Sequence, residues 1–401
     1  MRPLDLLGEW VAGLRWADVP PHVQHRARLT FRDTCGTIAG GARTVSGRVA
    51  SAFATAAPSD VHRTFEVAVH ASALDFDDGH YRGGAIHPAS AVVPALLVAA
   101  GSDQPTDELL TAQVAAYEVG LRAAHLLWPK HPLDDYHCTG TAGAIAAAVA
   151  VAKLRGGSTD VVRRAIATAW AHAPMATFQL PMVKESIGWS AASGRAAADL
   201  AEAGFMQLTR PSASPIDATF TPTPFDRPAA MGDPFVASLG TVFEAGNNYF
   251  KPYAACRYTH TAARTVQAFG VGADDVESIE VHTHHGAKDL SDRRPASLDH
   301  AQYSFPFVLA TMLLTGALGA DEMSDESLDD PARLALAARV SVHHDPALDI
   351  EYPAHYGTRT VVRTYDGSVL EETRLVAPGD PGDPMTDDEL LAKYQRLTAA
   401  G

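Results

Sequence analysis

Apolar residues recur at steps of three and four through the first half of the chain. Leu4, Leu7, Val11 and Leu14 share one helical face. The stretch "TDELLTAQVAAYEVGLRAAHLL" (106–127) opens with Thr106 as an N-cap and acids in its first turn, where they complement the helix dipole. "TGTAGAIAAAVAVAKLRGG" (139–157) stops at Gly156 and Gly157, and "STDVVRRAIATAWAHA" and "GWSAASGRAAADLAEAGF" repeat the theme. Their wealth of Ala and Gly lets helix axes approach closely, which predicts a layered bundle with helices buried on several sides. Residues 209–235, dense in Pro, Ser and Thr, predict a surface excursion or linker.

Beyond that stretch the period changes. "VESIEVHTHHG", "ARVSVHHDP" and "GTRTVVRTYDGSV" alternate as strands do, the last with an Asp-Gly hairpin signal. Helical stretches, "HTAARTVQAFG" and "SFPFVLATMLLTGAL", lie among them, and "PMTDDELLAKYQRLTAA" returns to a helix. The predicted class is mainly α: a large all-helical domain over 1–247, completed by the C-terminal helix within 377–401, and a smaller α+β domain over 248–376.

At 401 residues and 46% hydrophobic, the chain can bury a sizeable core. A net charge of -15 without a Lys/Arg cluster argues against nucleic acid, which needs a concentrated basic face. The longest apolar runs fall short of the roughly 20 residues a bilayer requires, and the N-terminal segment reads as a helix rather than an export signal, so a cytoplasmic protein without membrane contact is expected. Cys35, Cys138 and Cys256 are too few and too scattered for a disulfide framework or a cysteine-based zinc site.

In so alanine-rich a setting, charged side chains must be paired, exposed or set along a cleft. "ALDFDDGHYRGGAIHP" gathers Asp75, Asp77, Asp78, His80, Arg82 and His87. Its first part reads as helical, placing Asp75 on the last turn, and His87 precedes Pro88, which opens the next helix. Asp and His at adjacent helix ends suit acid/base work, while a solvated loop capped by acids is the plain alternative; no metal-ligand spacing is present. "YHCTGTAG" sets His137 and Thr141 at a helix start that fits either an anion or a simple N-cap. Lys184 in "MVKESIGWS" precedes a small-residue helix and fits an exposed lysine equally well. "KPYAACRYTHTAA" accumulates Lys251, Cys256, Arg257, Tyr258 and His260 before another helix, an entrance suited to a carboxylate. The paired histidines of "HTHHG" and "VHHDP" alternate along strands and read as surface or interface residues. No nucleophile elbow, P-loop or dinucleotide fingerprint is present. Cations beside Asp and His without a cofactor motif suit removal of a proton α to a carboxylate.

These segments, with "AQYSFPFVLATMLLTG" and the closing "DDELLAKYQRL", resemble the MmgE/PrpD family, in order along nearly the whole chain. Members of that family dehydrate, decarboxylate or epimerise small carboxylic acids. The resemblance implies a helical domain plus a smaller α+β domain, a homodimer, and chemistry without metal or other cofactor. Residue by residue, Asp75, His87, His137, Lys184 and Lys251 match positions that line the site in decarboxylase members. Gly79, Cys256 and Phe307 depart from that pattern, standing where a Thr, a His and a Tyr are found. The expected function is a cofactor-independent, dehydratase-like lyase acting on a small di- or tricarboxylate or hydroxy acid. His87 or His137 would move the proton, Asp75 and Lys251 would assist, and Lys184, Arg257, His260, Asp78, Thr141, Tyr258 and Cys256 would bind substrate. An epimerase using the same proton chemistry and a non-catalytic carboxylate-binding dimer are the alternatives.

Overall fold

A computed structural model describes residues 3–81, 86–127, 136–177, 182–205, 223–227, 230 and 232–399. They form two compact units: residues 1–38, 46–72 and 78–248 in the first, and 39–45, 73–77 and 249–401 in the second. The fold is mainly α with a smaller α+β part, as the sequence predicts.

The first unit is built from helices α1 (Pro3–Gly13), α2 (Pro21–Gly41), α3 (Val45–Ala56), α4 (Asp60–Ser72), α5 (Ala89–Ala99), α6 (Thr106–Leu127), α7 (Thr139–Leu154), α8 (Thr159–His172) and α9 (Met182–Glu202). Helix α7 is apolar all round, and every residue but Lys153 is buried, because α5, α6, α8 and α9 all pack on it. Small side chains allow this. A Cβ at Gly194 of α9 would collide with the carbonyl oxygen of Ala144 and lie 2.6 Å from Ala147 Cβ. Gly194→Ala is therefore expected to destabilise the unit by about 1–3 kcal/mol, seen as a lower urea midpoint at unchanged slope. The Pro-rich 209–235 stretch lies largely outside the described residues.

The second unit carries a mixed four-stranded sheet of β1 (Val276–Thr283), β2 (Val340–His344), β3 (Thr358–Thr364) and β4 (Val369–Arg374), in the order β2-β1-β3-β4. The β1–β2 pair is parallel, with Ile279 opposite Val340, and the other two pairs are antiparallel. Helices α10 (His260–Phe269), α11 (Phe305–Thr315) and α12 (Pro331–Ala337) accompany it. The last helix, α13 (Asp387–Thr398), opens with a Thr386/Glu389 capping box. Expected to complete the helical domain, α13 instead groups with this unit, on residues 40–44 and 74–76. A Cβ at Gly40 would meet Leu397 Cδ2 at 2.6 Å and Leu74 Cδ1 at 2.9 Å, and Arg43 donates to the carbonyls of Leu397 and Ala399. Among the described residues, no helix is long and apolar enough to cross a membrane.

Candidate active site

Helix α4 ends at Ser72, so Asp75 lies beyond it rather than on its last turn. Its φ of 47° is left-handed, a conformation that costs a non-glycine residue free energy unless neighbours impose it. The neighbours are buried donors of the second unit. Gln302 Nε2 donates to Ala73 O at 3.2 Å, Lys251 Nζ to Asp75 O at 3.0 Å, and Lys393 Nζ to Phe76 O at 2.7 Å.

Lys251, 0% exposed, also donates to Asp75 Oδ1 at 2.7 Å and lies 3.7 Å from Asp77 Oδ1. Burial works against its ammonium, but the charges of Asp75 and Asp77 outweigh that, and its pKa stands above the ordinary lysine value. The group is a fixed cation inside a protein interior. Tyr303, not singled out from the sequence, belongs to the same neighbourhood. Burial, followed by the charges of Asp75 and Cys256, raises its phenol well above the usual range, so it stays a protonated donor.

In the first unit, the same short segment continues as Asp78, His80 and His87. Asp78 Oδ2 accepts from Tyr117 Oη at 2.7 Å and Asn248 Nδ2 at 2.8 Å, and Oδ1 accepts from the Ala89 amide at 3.2 Å. A carboxylate so engaged anchors the start of α5. The Asp78 carbonyl in turn faces His87 Nδ1 at 2.8 Å. Because a carbonyl only accepts, Nδ1 must carry the hydrogen, which leaves Nε2 as the basic nitrogen. His80 Nε2 lies 3.5 Å from Glu244, both buried.

The remaining expected residues sort by what they touch. Arg257 donates to Pro378 O at 2.7 Å and to Ala377 O at 3.3 Å, pairs with Asp380, and stacks 4.5 Å from the Tyr249 ring centroid. His260 Nδ1 accepts from Arg257 at 3.0 Å while Nε2–H donates to Ala255 O at 3.0 Å. Burial, then the Arg257 and Lys251 charges, push its pKa well down, so the ring is neutral with both nitrogens engaged. Both residues brace the chain that follows Lys251. The Cys256 amide donates to Gln302 O at 2.8 Å, and Thr141 donates its hydroxyl to Pro174 O at 2.9 Å. Tyr258 packs edge-on against His284 and Tyr356. Phe307 is buried beneath the Arg333 guanidinium. His137 belongs to a two-residue ladder, Tyr136–His137 with Ala176–Thr177, and Lys184 to α9; the side chains of both lie outside the described residues, as do Arg82 and Gly83. Among the described residues, no group of three or more His, Cys, Asp or Glu side chains could hold a metal ion.

His284, expected to be a surface or interface residue, is 0% exposed. Its ring stacks on Tyr352 at 4.4 Å and meets no hydrogen-bond partner among the described residues. Burial, then the neighbouring His285, lowers its pKa to about 4. Between that value and the unfolded one the unfolded chain binds the extra proton, so stability falls as pH drops from about 6.5 to 4. His284→Phe is expected to remove about 3 kcal/mol of that pH dependence, measured as the difference between wild-type and variant unfolding free energies across the window.

Comparison with known proteins covers most of the chain. Residues 5–215 match the MmgE/PrpD N-terminal domain and residues 253–401 the MmgE/PrpD C-terminal domain. The chain is 25% identical over 441 residues to the cis-aconitate decarboxylase-like protein oryM of Aspergillus oryzae, covering 98% of this chain and 90% of that protein. It is 23% identical over 433 residues to cis-aconitate decarboxylase of Aspergillus terreus, covering 98% and 88%. A shorter match, 28% identical over 138 residues, joins it to 2-methylcitrate dehydratase of Salmonella typhimurium, covering 32% of this chain and 28% of that enzyme.

Proposed function

The chain belongs to the MmgE/PrpD family, and from that premise we propose that it is a cofactor-independent lyase acting on a small di- or tricarboxylate. The observation that carries this reading is the buried cluster of Lys251 with Asp75 and Asp77, an ammonium held charged beside two carboxylates, built from the segments that mark the family. The relatives named for decarboxylation of cis-aconitate and dehydration of 2-methylcitrate support the substrate class.

Individual groups within each unit, taken separately, have chemistry suited to such a reaction. His87, with Nδ1–H locked on a carbonyl, offers Nε2 to take a proton from the carbon α to a carboxylate. In a dehydration the electron pair left behind forms the double bond, and the hydroxyl departs as water once an acid protonates it. In a decarboxylation the carboxylate leaves as carbon dioxide, and a protonated group returns a proton to carbon. Tyr303, kept protonated by its surroundings, is a donor of the required kind. Arg257 and His260 act by position, tying the chain after Lys251 to Asp380 and the 377–378 carbonyls. The exposed apolar side chains of Val49, Phe53 and Trp189 in the first unit support a homodimer, which sedimentation of the purified chain tests.

The deciding experiment incubates the protein in deuterated water with cis-aconitate, 2-methylcitrate and related acids. Loss of water or carbon dioxide is the expected result. Deuterium uptake at unchanged formula would reassign the chain as an isomerase. Neither turnover nor exchange with any such acid would remove the catalytic reading.

A further inference from the structure

We propose that Lys393, on the last helix of the chain, is a positioning residue for the reaction, holding the strained Asp75 turn in the form that Lys251 grips. This rests on the lyase reading above. Lys393 is 1% exposed although it lies in an exposed, highly charged helix. Nζ donates to Phe76 O at 2.7 Å and sits 4.0 Å from the centroid of the Phe76 ring. The carbonyl it grips therefore belongs to the residue between Asp75 and Asp77, the two carboxylates that face Lys251.

The need for such a grip follows from the backbone. Asp75 carries the only positive φ found at a non-glycine residue among the described residues. Left to itself the turn would relax toward negative φ and swing both carboxylates away from Lys251. Gln302 and Lys251 hold its start through Ala73 O and Asp75 O, and Lys393 holds its end through Phe76 O. The anchorage of α13 makes this hold firm: Leu397 packs on Gly40 beside Leu74, and Arg43 caps the last carbonyls of the helix. The ammonium also lies over the Phe76 ring, a cation–π contact that a neutral donor would not make. A purely structural lysine would need only to close the helix against its support; this one closes on the carbonyl of the residue between two acids.

The test compares Lys393→Met, Lys393→Gln and Lys393→Arg with the wild type, using hydrogen–deuterium exchange over residues 73–81 and steady-state turnover of the best acid. In Lys393→Met, loop amides are expected to exchange about ten-fold faster while those of α7 keep their protection. The same variant should lose kcat by about 10²-fold at little changed KM, because a displaced turn misplaces the reacting groups more than it weakens binding. Lys393→Arg should restore both. Equal acceleration in the loop and in α7 would overturn the proposal, leaving a general stability role, and so would an unchanged loop. Should Lys393→Met fail to fold, Lys393→Gln decides, since wild-type exchange and turnover in that variant would equally overturn it. The exchange measurement uses no substrate, so an absence of turnover in every protein would sink the lyase reading alone and leave the loop result to be judged by itself.

Discussion

Lys251→Met should be both inactive and much less stable than the wild type. Removing the ammonium strands Asp75 and Asp77, both buried, without the charge that offsets them. Breaking a buried pair from one side costs about 3–5 kcal/mol, more than replacing both partners together. The double variant Lys251→Met/Asp75→Asn is accordingly expected to recover part of the loss, and the coupling energy from the cycle measures the pair. The pH dependence has a definite sign. A lysine whose folded pKa is raised stabilises fully below its unfolded value and loses that contribution as pH rises through the folded one. The wild-type advantage over Lys251→Met should therefore stay level from neutral pH to about 10.4 and shrink above it. An advantage that declined toward acid instead would assign the stabilisation to the carboxylates.

His87→Asn should keep the fold and lose the reaction. The asparagine amide can replace Nδ1–H in donating to the Asp78 carbonyl, so the start of α5 retains its hydrogen bond. What it lacks is the basic nitrogen. Loss of a general base costs about 10²–10⁴ in rate, so kcat should fall by that amount while the unfolding midpoint moves little. Near wild-type turnover in a folded His87→Asn protein would pass the proton-transfer role to another group, His137 first.

The elements were legible where local pattern decides them. The 106–127 stretch is helix α6 over the same residues, and the Asp-Gly signal at 366–367 sits between β3 and β4. The position of a polar group was legible where it follows chain punctuation, as with His87 just ahead of Pro88 and the start of α5. Long-range contacts were not. The left-handed Asp75 is imposed by Gln302, Lys251 and Lys393, none near it in sequence, so an apolar helical period carried through to Phe76 gave no warning of the break. Arg257 reads as a free cation in "ACRYTH" because Asp380 is 123 positions away. His284 reads as a surface or interface residue because alternation places it on a face without saying that Tyr258, Tyr352 and Tyr356 cover that face. Tyr303 carries no signal beyond its place in "AQYSFPF"; its tie to Asp75 and Cys256 exists only in the folded chain.

The second unit is assembled from distant pieces of the chain, and this sets an order on its biosynthesis. Asp75 leaves the ribosome 176 positions ahead of Lys251, and the helix that bears Lys393 emerges 317 positions behind Phe76. A nascent chain halted before residue 251 holds Asp75 and Asp77 without the ammonium that faces them, and one halted before residue 393 lacks the clasp on Phe76 O. Severed at residue 248, the C-terminal fragment would carry an ammonium in its interior and nothing to neutralise it, so the halves recognised separately by sequence are not separable as folding pieces.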